Sequence, residues 1–164
     1  MPEPLFNPNP DKVIEVYDLF DKKHKRNLKN FKFRVSAYGV LYKANKILVQ
    51  RHPKLKTFGL PGGGVEIGET INNSLVREFK EETGLRVGIG KLITVTEGFF
   101  TYEGEDAHSI SITYEVKKVG GKLLLEGNQD DTGEVKFMKL KDLTENNTQR
   151  VFWEIIKAIK GNIK

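Results

Sequence analysis

The stretch GGVEIGETINNSLVREFKEETGL, residues 63–85, decides how the rest of the chain is interpreted. A glycine loop leads into a segment with helical apolar spacing, and Gly84 follows, where a helix end favours a residue that tolerates positive φ. Glu78, Glu81 and Glu82 stand at i, i+3 and i+4, so they share one helical face. Like charges at these spacings repel, and the pattern predicts a neighbouring cation. A divalent metal ion fits because hard cations bind clustered carboxylates, although a solvated acidic face would show the same residues.

The apolar side of the predicted helix strengthens the metal interpretation. Ile71, Leu75 and Phe79 recur on one face, and Glu78 and Glu82 fall at the edge of that face. Burial makes an uncompensated carboxylate costly. We therefore expect these two carboxylates to border the core and to need a partner there.

The spacing of the stretch resembles the Nudix box, the signature of the Nudix (MutT-like) hydrolases. Read from Gly63, Glu69 follows after five residues and Arg77 after seven more, and the remaining defined positions are also matched, by Glu78, Phe79, Glu81, Glu82, Gly84 and Leu85. The resemblance implies an α/β fold, a Nudix-type α/β/α sandwich with a mixed β-sheet. The box helix would then pack on one face of the sheet and a C-terminal helix on the other.

The resemblance also implies a metal site of Mg²⁺ or Mn²⁺. In the family, such ions neutralise a diphosphate and activate the water that attacks it. The residues of this chain at the ligand positions are Glu78, Glu81 and Glu82, together with a backbone carbonyl at Gly62.

The catalytic roles implied by the resemblance fall on three box residues. Glu78 is the expected general base. Glu69 and Arg77 are expected to orient the site, because an arginine can hold a carboxylate in line through a bidentate bond. Some family members use an acid in a later loop as base or as an extra ligand, and the acids at that place are Asp130, Asp131 and Glu134.

The composition of the 164 residues is typical of a globular domain, with 38% hydrophobic and 30% charged residues. The chain has no cysteine, which excludes disulfides, thiolate metal sites and a thiol nucleophile. No apolar run approaches the ~20 residues of a membrane span, and the first residues, MPEPLFNPNP, lack the features of a signal peptide. We expect a cytoplasmic protein without a membrane partner.

The net charge of +5 favours an anionic partner. The basic residues are scattered except at 22–26, and aromatic residues do not interleave with that run as a stacking platform for nucleic acid requires. We therefore expect a small anionic nucleotide as substrate rather than nucleic acid. A homodimer is compatible with the sequence.

We divide the chain into an N-terminal extension, residues 1–30, packed on or beside the core, and a Nudix hydrolase domain, residues 31–164. Within the extension, Asn9 and Pro10 predict a helix start, with a strand as the alternative because β-branched and aromatic residues follow. The basic run and residues 27–30 are predicted to form a loop. The extension could cover the sheet, form a subunit interface or help to select substrate.

The other elements are predicted from residue periodicity. They are a hairpin over Phe31–Val49 with its turn at 43–45, strands at 85–87, 91–101, 108–116, 123–125 and 135–140, and a helix over 148–160.

The substrate class is the open question. Family members cleave a phosphoanhydride bond in a nucleoside diphosphate linked to another group: nucleoside triphosphates, including oxidised ones, nucleotide sugars, ADP-ribose, dinucleoside polyphosphates and capped RNA. Tyr102 lies seventeen residues after the box, about where dinucleoside polyphosphate hydrolases carry a tyrosine, whereas residues 99–101 lack the proline that ADP-ribose hydrolases carry nearby. Phe99, Phe100 and Tyr102 either stack on a base or belong to the core.

Two rival classes share the fold. One is a catalytically inactive Nudix-fold module that binds nucleotides or regulates, and the intact box argues against it. The other is the isopentenyl-diphosphate isomerase branch, which uses a catalytic cysteine that this chain lacks.

Overall fold

A computed structural model describes residues 9–130 and 132–161. The elements in chain order are β1 (Val13–Tyr17), β2 (Lys23–Asn27), β3 (Phe31–Lys43), β4 (Lys46–Arg51), β5 (Gly62–Gly64), α1 (Ile71–Thr83), β6 (Leu85–Tyr102), β7 (Glu105–Gly121), β8 (Glu134–Lys139) and α2 (Arg150–Gly161). Short 3₁₀ turns lie at Leu28–Asn30, Leu140–Asp142 and Glu145–Asn147.

The strands form one mixed sheet in the order β2-β1-β6-β7-β3-β4-β8, and β5 pairs with β3. The β1–β6 and β3–β7 pairs are parallel, and the other pairs are antiparallel. Along β4, Ile47 and Val49 pack with the core that contains α2, whereas Leu48 packs with the core that contains α1. The two helices therefore cover opposite faces of the sheet, which confirms the predicted fold class.

Helix α1 has a sequence-defined start and end. The Thr70 side chain accepts a hydrogen bond from the Asn73 N–H at 3.2 Å, and this caps the N-terminus. Gly84 ends the helix with φ 73°, and its N–H donates to the Lys80 carbonyl at 2.8 Å. A Cβ at Gly84 would lie 2.4 Å from the Lys122 carbonyl oxygen, so this position admits only glycine. The two caps fix where the acidic face begins and ends.

The central elements match the sequence predictions. The hairpin of β3 and β4 turns at residues 44–45, as predicted. The two strands predicted at 85–87 and 91–101 are one strand, β6, with irregular pairing between Arg86 and Thr94. The C-terminal helix is present as α2 and buries Phe152, Ile155 and Ile156.

Three sequence predictions are wrong. The helix predicted to start at Asn9 and Pro10 is absent, because β1 buries Val16 and pairs with β2 and β6. The loop predicted over the basic run contains β2. The segment at 123–125 is not a strand, since the Leu124 N–H donates to the Thr83 carbonyl at the end of α1 rather than to a ladder.

The proline-rich segment 1–10 is predicted from the sequence to be extended or partly disordered, and its residues 1–8 lie outside the described residues. The division of the chain at residue 30 stays a prediction. Neither α1 nor α2 is long and apolar enough to cross a membrane, and the same holds for every helix in the described part of the chain.

The packing of α1 depends on Phe79, whose side chain is 0% exposed. We expect Phe79→Ala to lower the free energy of unfolding by ~3–5 kcal/mol, because it removes a buried ring and leaves a cavity. Phe33→Ala is the matched control, since Phe33 is 67% exposed and its loss should change stability little. Chemical denaturation of both variants measures the difference, and similar losses would contradict the assigned packing.

Candidate active site

A cleft of about 460 Å³ lies beside the glycine loop of β5. Its walls come from β1, the glycine loop, α1, the central strands β3, β6 and β7, and the start of α2. Among the residues expected to form the site, Gly62, Glu78 and Glu82 line this cleft. Glu69, Arg77 and Glu81 do not line the cleft. Arg77 contacts both Glu69 and Glu81, and it also contacts Glu78, which lines the cleft.

The side chain of Arg77 is the hub of the acidic helix face. Its Nε and Nη2 donate to the two carboxylate oxygens of Glu69 at 2.9 and 3.0 Å, a bidentate pair. Its Nη1 donates to Glu78 Oε1 at 2.8 Å and to Glu81 Oε2 at 3.3 Å. One guanidinium thus compensates three carboxylates, which relieves the repulsion expected from their spacing.

The same contacts shift the ionisation of Glu69 and Arg77. The Arg77 guanidinium holds the pKa of Glu69 below its ordinary value, and the Glu69 carboxylate in turn raises the pKa of Arg77. Both groups therefore stay charged across the physiological pH range. Glu69 Oε2 also accepts from the Glu66 N–H at 3.3 Å, which ties the pair to the loop before α1.

Glu78 sits closer to the core than its neighbour Glu81. Burial raises the pKa of Glu78, and the bond from Arg77 acts in the opposite direction. The carboxylate lies against the backbone of Gly63, because a Cβ there would be 2.7 Å from the Glu78 Cδ. A glycine at this position is therefore what allows Glu78 to reach the cleft wall.

The carboxylate of Glu82 is bound by Gly62 and Gln50. Its side chain is buried, and its Oε2 accepts from the Gly62 N–H at 2.7 Å. Its Oε1 accepts from Gln50 Nε2 at 2.6 Å, and the Thr132 hydroxyl donates to Gln50 Oε1 at 3.3 Å. Two strands and the loop before β8 thus position one carboxylate.

Gln50 and Thr132 were not identified from the sequence. The available signal was weak: Gln50 is a polar residue directly after the apolar run 47–49 of β4. Its partner on α1 is 32 residues away, and Thr132 is 82 residues away. Contacts between residues so far apart in the chain leave no local pattern in the sequence.

The oxygen donors of this site fit a hard divalent cation. Glu78 and Glu81 converge on the single atom Nη1 of Arg77, so a positive charge is already stabilised between them. Glu82 points its oxygens to Gln50 and Gly62 instead. Among the described residues, no group of three or more histidine, aspartate or glutamate side chains has the spacing of metal ligands. The structure therefore brings Glu78 and Glu81 to one atom of Arg77, and it places Glu78 and Glu82 in the lining of the same cleft.

Three candidate acids lie at or shortly before the start of β8, and the structure describes two of them, Asp130 and Glu134. Glu134 accepts from Arg51 at 2.7 Å and Lys136 at 2.9 Å, and the Lys136 contact lowers the pKa of Glu134. Asp130 is exposed, and Asp131 lies outside the described residues. Neither Asp130 nor Glu134 lines the cleft.

The aromatic end of β6 lines the cleft through Phe99, Phe100 and Tyr102. Phe99 is 40% exposed and stacks on His108 with a centroid distance of 4.2 Å. Phe100 is half-buried and stands in register with Tyr17 of β1. These three rings are not fully buried and they line the cleft, which favours a role in stacking on a base over a place in the core.

Comparisons with known proteins agree with this geometry. The family model described as NUDIX domain matches residues 32–158. The chain is 36% identical over 92% of its length to an ADP-ribose pyrophosphatase of Methanocaldococcus jannaschii, of which 91% is covered. It is 33% identical over 53% of its length to a probable DHNTP pyrophosphohydrolase of Lactococcus lactis subsp. cremoris, of which 54% is covered.

Solved structures show the same fold. The structure of a MutT NUDIX hydrolase from Burkholderia pseudomallei matches with a TM-score of 0.65 and 23% identity, and the match covers 78% of this chain and 98% of that one. Together with the family model and the archaeal relative, this match confirms the resemblance carried by residues 63–85. The chain therefore belongs to the Nudix family of hydrolases.

Proposed function

We propose that the protein is a divalent-cation-dependent hydrolase that cleaves the pyrophosphate bond of ADP-ribose or a closely similar nucleoside diphosphate compound. The observation that carries the substrate class is the similarity to the archaeal ADP-ribose pyrophosphatase, which extends over nearly the full length of both chains. The cleft supports the proposal, since its volume of about 460 Å³ suits a small molecule.

The carboxylates of Glu78, Glu81 and Glu82 and the carbonyl of Gly62 would hold the cation, Mg²⁺ or Mn²⁺. When bound, the cation supplies positive charge to the diphosphate and activates the attacking water. Glu78 lines the cleft and would accept the proton of that water as general base. Its bond to Arg77 uses Oε1, so Arg77 would orient this carboxylate during the reaction.

Glu69 would act as a positioning residue. It does not line the cleft, but its two carboxylate oxygens accept from Nε and Nη2 along one edge of the Arg77 guanidinium. A guanidinium held by a bidentate bond has little freedom to rotate. Glu69 would therefore fix the direction in which Arg77 presents Nη1 to Glu78 and Glu81.

The N-terminal extension would help to select the substrate. Tyr17, Asp18 and Leu19 line the cleft, next to the aromatic end of β6. The guanidinium of Arg150 lies 4.1 Å from the centroid of the Tyr17 ring, and its Nε donates to Asp21 at 3.1 Å. These contacts fasten the extension to α2 and support its role as a wall of the cleft. A cytoplasmic location and a homodimer stay predictions.

A dinucleoside polyphosphate is the second candidate substrate. Tyr102 lines the cleft, at about the place where hydrolases of that class carry a tyrosine, and residues 99–101 lack the proline of ADP-ribose hydrolases. Hydrolysis of nucleoside triphosphates is also compatible with the site, and an inactive module that only binds nucleotides is the alternative without catalysis. Product identity separates these functions.

A nucleotide panel tests the proposed function. We expect the protein with Mg²⁺ to convert ADP-ribose to AMP and ribose phosphate faster than it cleaves ATP or diadenosine tetraphosphate, as measured by chromatography of the products. Glu81→Gln should lower the rate by at least about 100-fold, because it removes charge without changing shape. Glu145→Gln, an exposed glutamate outside the cleft, is the control.

Preference for diadenosine tetraphosphate would move the protein to the second candidate substrate. Binding of ADP-ribose without product would identify the inactive module. An unchanged rate in Glu81→Gln would overturn the assignment of the acidic helix face.

The bond between Glu69 and Arg77 predicts a pH-dependent contribution to stability. The folded protein lowers the pKa of Glu69 from its ordinary value of 4.5. The stabilising contribution of the ion pair is therefore fully present above pH 4.5 and is lost as the pH falls through the pKa of the folded state. We expect Glu69→Gln to have a lower melting temperature than the wild type near neutral pH, and the difference to shrink under acidic conditions.

Glu105→Gln is the matched control, because Glu105 makes a single, solvent-exposed pair with Lys32 at 2.6 Å. Its loss should lower the melting temperature less. Thermal unfolding followed by circular dichroism at a series of pH values measures both variants. A difference for Glu69→Gln that does not change with pH would argue against the ion pair.

A further inference from the structure

Arg34 is a positively charged residue of the cleft that Glu78 also lines. Arg34 belongs to β3 and lines the cleft. It lies against the backbone of Gly64, because a Cβ there would be 2.9 Å from Nη2 and 3.2 Å from both Cζ and Nε. The neighbouring glycine, Gly63, makes the same room for Glu78. Successive residues of a strand face opposite ways, so Gly63 and Gly64 make room for Glu78 and Arg34 on opposite sides of β5, and both side chains line the cleft.

Arg34 has no carboxylate partner within ion-pair distance among residues 9–130 and 132–161. The only hydrogen bond of its side chain to another described residue runs from Nε to the Ser36 hydroxyl at 3.3 Å. Other arginines of the chain are paired, as shown by Arg26 with Asp106, Arg51 with Glu134 and Arg150 with Asp21. A guanidinium has five N–H donors, so Arg34 keeps its terminal nitrogens available at the cleft surface.

Small polar residues and open space surround this guanidinium. Ser109 stands opposite Arg34 in the register of β3 and β7, and Ser111 stands opposite Ser36. Both Ser109 and Ser111 line the cleft, as does Gly98, which is paired with Ser109. A Cβ at Gly98 would meet no atom within 4 Å. The floor in front of Arg34 therefore offers hydroxyl donors and room for a ligand group.

We propose that Arg34 binds a phosphate group of the substrate through its terminal nitrogens, with the Ser109 and Ser111 hydroxyls as additional donors. The inference rests on the proposed function, since it names the part of that site which holds the diphosphate. Arginine suits this role because its planar fork matches two oxygens of one phosphate. A diphosphate would then meet the cation held by the carboxylates at one phosphate and Arg34 at the other.

The matched control for this proposal is Arg86. A Cβ at Gly120 would lie 2.7 Å from Arg86 Nη2, so Arg86 also lies against a glycine of the sheet. Arg86 is exposed and does not line the cleft. Arg34→Ala and Arg86→Ala therefore each remove a guanidinium that lies against a glycine, and only Arg34→Ala changes the cleft.

Two measurements test the proposal. Isothermal titration calorimetry with inorganic pyrophosphate in EDTA reports binding without hydrolysis, and steady-state kinetics with ADP-ribose and Mg²⁺ report KM. We expect Arg34→Ala to weaken pyrophosphate binding and to raise KM by at least about tenfold, as loss of charged hydrogen bonds does. Arg34→Lys should recover part of the affinity, and Arg86→Ala should match the wild type. Unfolding curves confirm that the variants fold.

The outcomes separate this inference from the proposed function. Wild-type hydrolysis of ADP-ribose with an unchanged KM and unchanged pyrophosphate affinity in Arg34→Ala would overturn the Arg34 site and leave the function standing. Pyrophosphate binding that depends on Arg34, in a protein that cleaves no compound of the panel, would support the Arg34 site and overturn the function. Absence of pyrophosphate binding by the wild type would also overturn the Arg34 site.

Discussion

The rest of the site depends on the contact of one guanidinium, that of Arg77, with the carboxylates of Glu69, Glu78 and Glu81. Without a cation, Glu78 and Glu81 would repel each other across one turn of α1. Arg77 removes that cost, and its bidentate bond to Glu69 sets the direction of the remaining donor. The acidic face is therefore arranged by contacts within the chain itself, which is what pre-organised electrostatic catalysis requires.

The glycine loop completes the site because it lacks side chains. Gly63 and Gly64 allow a carboxylate and a guanidinium to lie against the backbone, and Gly62, at φ 131°, donates its N–H to the buried Glu82. The sheet supplies the rigidity for these contacts, because β5 pairs with β3 along its three residues. Helix, loop and strand thus converge on the same few atoms.

Local signals made α1 and the glycine loop predictable from the sequence, since caps, apolar spacing and the acidic pattern all lie within residues 63–85. The sequence also predicted that Arg77 holds a carboxylate through a bidentate bond, and the structure shows that bond with Glu69. Long-range pairing was not predictable: β1 joins the rest of the sheet through the pairing of Tyr17 with Phe100, and Gln50 reaches Glu82 only after folding. Residues that act over such separations leave no periodic trace.

The most direct test of this account is the binding of Mn²⁺ followed by electron paramagnetic resonance, in which the signal of free Mn²⁺ disappears on binding. We expect saturable binding by the wild type, weakening by at least about tenfold in Glu78→Gln, and no change in Glu145→Gln. Equal binding by the wild type and Glu78→Gln, or no binding by the wild type, would contradict the claim that the face organised by Arg77 holds a divalent cation.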